Sequence, residues 1–145
     1  SDKKETEGHK LRHQIIAQYR PFIDGIYGRG YNPVENKIEA LKNYRYSIVV
    51  ENEKNKFWFT EKLIDCFVTG TIPIYWGAKN AITDSFFMYR FNTINELDYL
   101  LRDINWQHNY QFKKNVLQRN YLQAMQYTVP ENNIWSFFLE EYFIP

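Results

Sequence analysis

The sequence predicts an α/β fold: a Rossmann-like, mainly parallel sheet flanked by helices, with a helical C-terminal tail. Two observations carry this reading. Tyr46-Ser47-Ile48-Val49-Val50 and Thr71-Ile72-Pro73-Ile74-Tyr75-Trp76 are short runs, apolar at nearly every position, as in strands covered on both faces. Around them lie segments with apolar residues at helical spacing, and alternation of helix and strand builds a layered sandwich. Residues 1–145 are about one domain's worth of chain, enough for a sizeable core.

A first helix is expected over residues 8–19, where Leu11, Ile15, Ile16 and Ala17 form an apolar stripe. Arg20-Pro21 ends it, because proline cannot continue the hydrogen-bond ladder. Phe22-Ile23-Asp24-Gly25-Ile26-Tyr27 reads as a short strand, and Gly28-Arg29-Gly30 as a turn with freedom for positive φ. A short helix over residues 36–43 turns Ile38 and Leu41 inward. The first buried strand follows, closed by the polar pair Glu51-Asn52 and a solvated loop over residues 53–56. Phe57-Trp58-Phe59 leads into the next helix.

Thr60 is placed to cap a helix over residues 61–69, with Leu63, Ile64, Phe67 and Val68 as its broad apolar face. Gly70 sits where a glycine stops a helix. The second buried strand contains Pro73, which has no N–H to pair and belongs near a strand start or edge. Beyond Phe91 the pattern is helical. Ile94, Leu97, Leu100 and Leu101 mark one segment; Phe112, Val116, Leu117 and Tyr121 mark a long helix broken by Val129-Pro130. Ile134, Trp135, Phe138, Leu139 and Tyr142 mark a last one.

Composition removes several function classes. The net charge of +1 lacks the basic excess by which proteins neutralise nucleic-acid phosphates, so no nucleic-acid partner is expected. A single cysteine, Cys66, excludes an internal disulfide and a Cys-rich zinc site. No run of about 18 apolar residues is available to span a membrane. Ser1-Asp2-Lys3-Lys4-Glu5 is too charged for a signal-peptide core. The aromatic share of 19% suits interfaces and sugar-facing clefts, and equally a plain core.

In open α/β sheets, ligands bind beyond the carboxyl ends of the strands. Gly28-Arg29-Gly30, Glu51-Asn52 and Thr60-Glu61-Lys62 all fall at that edge. A helix start offers free amides and partial positive charge, and Lys62 adds a full charge, which is what a diphosphate requires. Glu61 would repel phosphate but accept hydrogen bonds from a sugar hydroxyl pair. The same residues also suit an ordinary capped helix with a solvated Glu-Lys start.

Glu51-Asn52, Phe59-Thr60-Glu61-Lys62-Leu63 and Gly70-Thr71-Ile72-Pro73-Ile74-Tyr75-Trp76-Gly77, in this order and spacing, resemble the signature of the α1,3-fucosyltransferases. The likeness is strong from Tyr46 to Gly77 and extends more weakly back to Gly8. It departs at Val50, where the family has an aromatic residue, and at Phe59, where it has Ile or Val; both swaps are apolar. The resemblance implies a GT-B-type transferase of two Rossmann-like domains, the C-terminal one binding GDP-fucose. Lys62 would then meet the diphosphate, Glu61 the ribose or fucose hydroxyls, and Asn52 the nucleotide. Arg12 resembles the family arginine that gives the phosphates a second positive charge.

The reaction so implied is inverting transfer of L-fucose from GDP-fucose to a hydroxyl of a glycan acceptor, with no metal or other cofactor. No Asp-x-Asp diphosphate motif is present, nor a P-loop. The family's general base lies in an N-terminal domain. Residues 1–8 cannot supply the central strand that opens a nucleotide-binding half, so that domain is expected to be missing here and no catalytic residue is assigned. A related transferase using another GDP-sugar and a non-catalytic nucleotide- or glycan-binding module remain as alternatives. His9 and His13, four apart on one helical face, could chelate a metal but have no evident third ligand. Trp58, Trp76, Trp106 and Trp135 could stack on sugars, though core packing suits most of them better.

Overall fold

A computed structural model describes residues 5–27, 30–55, 59–103 and 105–127. Its elements in order are α1 (Glu7–Tyr19), α2 (Lys37–Leu41), β1 (Tyr46–Val50), α3 (Glu61–Val68) and β2 (Ile72–Trp76). They continue with α4 (Ala81–Asp84), β3 (Tyr89–Arg90), α5 (Ile94–Asp103), α6 (Trp106–Gln111) and α7 (Lys114–Ala124). Short 3-10 turns cover Arg20–Phe22 and Met125–Tyr127. The strands form one parallel sheet in the order β1-β2-β3. Helices lie on both faces, and the described residues after β3 are mostly helical, so the α/β expectation holds. No described helix is long and apolar enough to cross a membrane.

Strand alternation divides the core into two layers. Val49 and Tyr75 face a cluster with Leu63, Ile64, Cys66 and Phe67 of α3 and Ala124 of α7. Val50, Ile74 and Trp76 face the opposite cluster, with Ile15 and Tyr19 of α1 and Leu97 of α5. Phe67 stacks on Phe86 at a centroid distance of 4.2 Å, so the loop before β3 is locked onto α3. Across the other face, the Tyr19 hydroxyl donates to Asp98 Oδ1 at 2.8 Å and ties α1 to α5. Cys66 is fully buried and behaves as a small hydrophobe, with burial pushing its thiol well above its ordinary pKa.

Local chemistry sets the element ends. Thr6 caps α1 in a capping box with His9, and Asn36 caps α2. Thr60 caps α3 through a bond from the Lys62 amide, and Gly70, with φ of 69°, carries the chain out of it. Pro73 lies one residue into β2, which is the central strand and not an edge. The Ile72 amide points to β1, where it donates to Arg45 O at 2.8 Å. By alternation, Pro73 faces the other side, and β3 begins only opposite Ile74. Its missing donor therefore costs the sheet no bond.

Several expectations are corrected. The strand expected over residues 22–27 does not form. Pro21 enters a 3-10 turn at its first positions and extends the winding of α1; Phe22 is 75% exposed. Only Tyr27 bridges, to Asn32. Phe112 lies in the turn between α6 and α7 and is 74% exposed, so the long helix expected there is two shorter ones. The helix α4, of four residues, and the strand β3, of two, are too short for a sequence periodicity to mark them. Gly28, Arg29, Phe57, Trp58, the Val129-Pro130 break and the last helix with Trp135 fall outside the described residues.

Candidate functional site

β1 and β2 finish side by side, since Val50 is in register with Trp76 and the Glu51 amide donates to Trp76 O at 3.0 Å. The polar residues that follow β1 therefore stand at the carboxyl edge of the sheet. The start of α1 is drawn onto the same edge. Its Gly8 amide donates to Asn52 O at 2.8 Å, and a Cβ on Gly8 would fall 1.7 Å from Glu51 O. Only glycine permits that approach.

One turn further along α1, Arg12 reaches over the end of β1. Its Nε and Nη2 donate to Val50 O at 3.0 and 2.8 Å, and Nη2 also donates to Asn52 Oδ1 at 2.5 Å. Burial lowers the Arg12 pKa from its ordinary value, and the nearby Glu51 carboxylate opposes that shift. Asn52 itself is exposed.

Glu51 occupies the centre. It is 4% exposed, and each carboxylate oxygen is engaged. Oε1 accepts from the Thr60 hydroxyl at 2.6 Å and lies 3.5 Å from the Lys62 ammonium. Oε2 accepts from the Thr60 amide at 2.8 Å and the Tyr75 hydroxyl at 3.1 Å. Burial and this carboxylate push the Tyr75 phenol far above its ordinary pKa. The Ala78 amide donates to the same phenol at 3.1 Å, and Arg90 donates to Ala78 O at 2.9 Å while lying over the Tyr75 ring. The loop after β2 is thus bound into the network.

Of the residues singled out in the sequence, Arg12, Asn52 and Lys62 come together around Glu51. Glu61 does not join them by a hydrogen bond. Its Oε1 pairs with Lys37 of α2 at 3.2 Å, with 14% of the side chain exposed. Sequence reasoning left out Glu51 and Tyr75 as organisers of the group and Lys37 as the partner of Glu61. A carboxylate directly after two buried valines was the available signal for Glu51. Beneath Glu61, Asp65 is 2% exposed, and its Oδ1 has no hydrogen-bond partner among the described residues. Burial is the main cause that pushes its pKa up to about 7; Lys37 opposes the shift and Glu61 adds to it.

His9 is taken up by the α1 capping box, and a His13 ring nitrogen lies 2.5 Å from the Tyr31 hydroxyl. Among the described residues, no group of three or more His, Cys, Asp or Glu side chains could hold a metal. Trp76 is buried, with its Nε1 donating to Asn92 O at 3.2 Å, and Trp106 packs edge-on against Tyr46 and Tyr89.

Comparison with known proteins bears on what this edge does. The chain is 44% identical over 55 residues to an alpha-(1,3)-fucosyltransferase of Helicobacter pylori, a match covering 38% of this chain and 11% of that enzyme. It is 38% identical over 45 residues to a putative fucosyltransferase-like protein of Arabidopsis thaliana, covering 31% of this chain and 9% of that protein. This chain is similar to fucosyltransferases. The similarity supports glycosyltransferase function in general. The matched stretches span about a tenth of those relatives. No family model matches, and no solved structure matches.

Two cations, Lys62 and Arg12, flank one enclosed carboxylate, Glu51, at a helix start whose dipole is positive outward. Asn52 contributes an exposed carboxamide beside it.

Proposed function

We propose that this chain is the donor-binding half of an inverting, GT-B-type fucosyltransferase and holds GDP-fucose at the carboxyl edge of the sheet. The observation that carries the reading is the convergence of Lys62 and Arg12 on the Glu51-Asn52 strand end. In this reading Lys62 and the first turn of α3 meet the diphosphate, Arg12 supplies a second charge, and Asn52 lies beside the nucleotide. Glu61 meets ribose or fucose hydroxyls; doing so requires it to share or leave its pair with Lys37.

The transfer joins the acceptor oxygen to the anomeric carbon of fucose while the bond from that carbon to the phosphate breaks. GDP departs with the electron pair, and the cations stabilise its growing charge. The acceptor's proton passes to a general base. We assign that base to a second domain, because Glu51 is enclosed and both its oxygens are occupied. The acceptor is a glycan hydroxyl, and no metal enters the scheme.

Calorimetric titration of the chain with GDP tests the reading. Binding is expected, and Lys62→Ala should weaken it about tenfold, the scale of a charge-assisted contact. An absence of binding, or binding indifferent to Lys62→Ala, overturns the assignment.

A further inference from the structure

Glu51 is an unusual residue to find at an anion site, since a carboxylate repels phosphate. Its surroundings explain its presence. Two of its contacts come from Thr60, one from Lys62 and one from Tyr75, so a single side chain joins the end of β1 to the start of α3 and to β2. Backbone packs tightly about it: a Cβ on Gly77 would lie 2.6 Å from Glu51 Cγ. The carboxylate is enclosed and cannot itself touch a ligand in solvent.

Lysine carries its charge on a flexible stem and loses about 2 kcal/mol of rotamer entropy when fixed. Glu51 fixes it in advance, together with the Thr60 hydroxyl 3.3 Å from the same ammonium. We propose that Glu51 is a positioning residue, acting through Lys62 and the Thr60-capped start of α3 to pre-set them for a nucleoside diphosphate. The inference rests on the donor-site reading above and adds an organiser to it. Tyr75 in turn steadies Glu51, held by the Ala78 amide and by Arg90 over its ring.

A double-mutant cycle on the full chain tests this, with GDP affinity by calorimetry and melting temperature as a check on folding. Glu51→Gln keeps the size and an acceptor for Thr60 but removes the charge that holds Lys62. It is expected to lose about tenfold in GDP affinity in the presence of Lys62, and less than about twofold in the Lys62→Ala background. Unchanged or improved affinity in Glu51→Gln overturns the proposal, as does an equal loss with and without Lys62. Should Glu51→Gln fail to fold, Tyr75→Phe frees Glu51 of one bond while keeping the ring, and a loss of about threefold that again requires Lys62 is expected. No loss with Tyr75→Phe, or a loss independent of Lys62, then overturns it. If the unaltered chain does not bind GDP, or Lys62→Ala has no effect on it, the donor-site reading falls and this inference with it. If those two results stand and only Glu51 proves neutral, this inference alone falls.

Discussion

Arg12 and Asn52 are forty positions apart in sequence and share a hydrogen bond of 2.5 Å at the end of β1. The bond is possible because Gly8, one turn earlier, lets α1 settle directly on the backbone of Glu51 and Asn52. One helix thus delivers a cation to a place prepared by a strand and by the cap of a second helix.

Gly8→Ala should be severe. Its Cβ would meet Glu51 O at 1.7 Å and Asn52 O at 2.6 Å, both backbone atoms that cannot swing away. Lifting α1 breaks the Gly8–Asn52 bond and withdraws Arg12, for an expected loss above about 2 kcal/mol. Gly70→Ala is the comparison: Tyr110 Oη at 3.9 Å leaves space, and only the φ of 69° is strained. There about 1 kcal/mol is expected. Urea denaturation of both variants checks the order, and equal losses would contradict it.

Thr60→Ala removes the α3 cap and one of the donors to Glu51. A loss of about 1 kcal/mol is expected, with recovery of most of it in Thr60→Ser. The midpoint of chemical denaturation is the measurement. A serine variant no better than alanine would mean that the methyl group, not the hydroxyl, matters.

Asn120→Ala should cost about 2 kcal/mol. This 1%-exposed side chain accepts from the Phe87 amide and donates to the Phe87 carbonyl, each at 2.9 Å, and so pins the approach to β3 onto α7. Truncation leaves both backbone groups without these partners. Amide exchange at Phe87 should accelerate with the loss of stability; protection equal to that of the unaltered chain would count against the role.

Asp65 predicts a pH dependence of stability. Its pKa is about 7 when folded against an ordinary 3.8, so the folded state holds the proton more tightly. The corresponding stability is fully present below the unfolded value and is lost as pH rises towards and through about 7. Its size is roughly 1–4 kcal/mol, an order-of-magnitude bound from the shift. Asp65→Asn should flatten the decline between about pH 4 and about pH 7. Identical slopes for the variant and the unaltered chain in denaturant titrations would show that Asp65 is not the group responsible.

The sequence made the centre of the molecule legible and its margins less so. The strands β1 and β2 and helix α3 announce themselves because each combines an unbroken apolar run with a stop or a cap, down to Thr60 and Gly70. The strand β3 has only Tyr89 and Arg90, too short for any periodicity to register. Residues 22–27 carry strand-like residues, but Pro21 continued the helical winding and left Phe22 in solvent. Arg12, Asn52 and Lys62 could be named from motif and edge alone. That Lys37 occupies Glu61, and that Glu51 joins three elements, depends on contacts between segments that no local pattern records.

The bond from Arg12 to Val50 O has a further result. Residues 47, 49 and 51 turn their backbone groups to β2, as the Glu51 amide shows, so Val50 O looks outward from the flank of β1. Among the described residues no strand covers that flank. Arg12 occupies that last outward carbonyl with a charged guanidinium, so this rung of the flank is not open to a pairing strand. Replacing Arg12 would thus uncover an edge carbonyl as well as remove a cation, so any change in ligand affinity has to be read beside a change in association between chains.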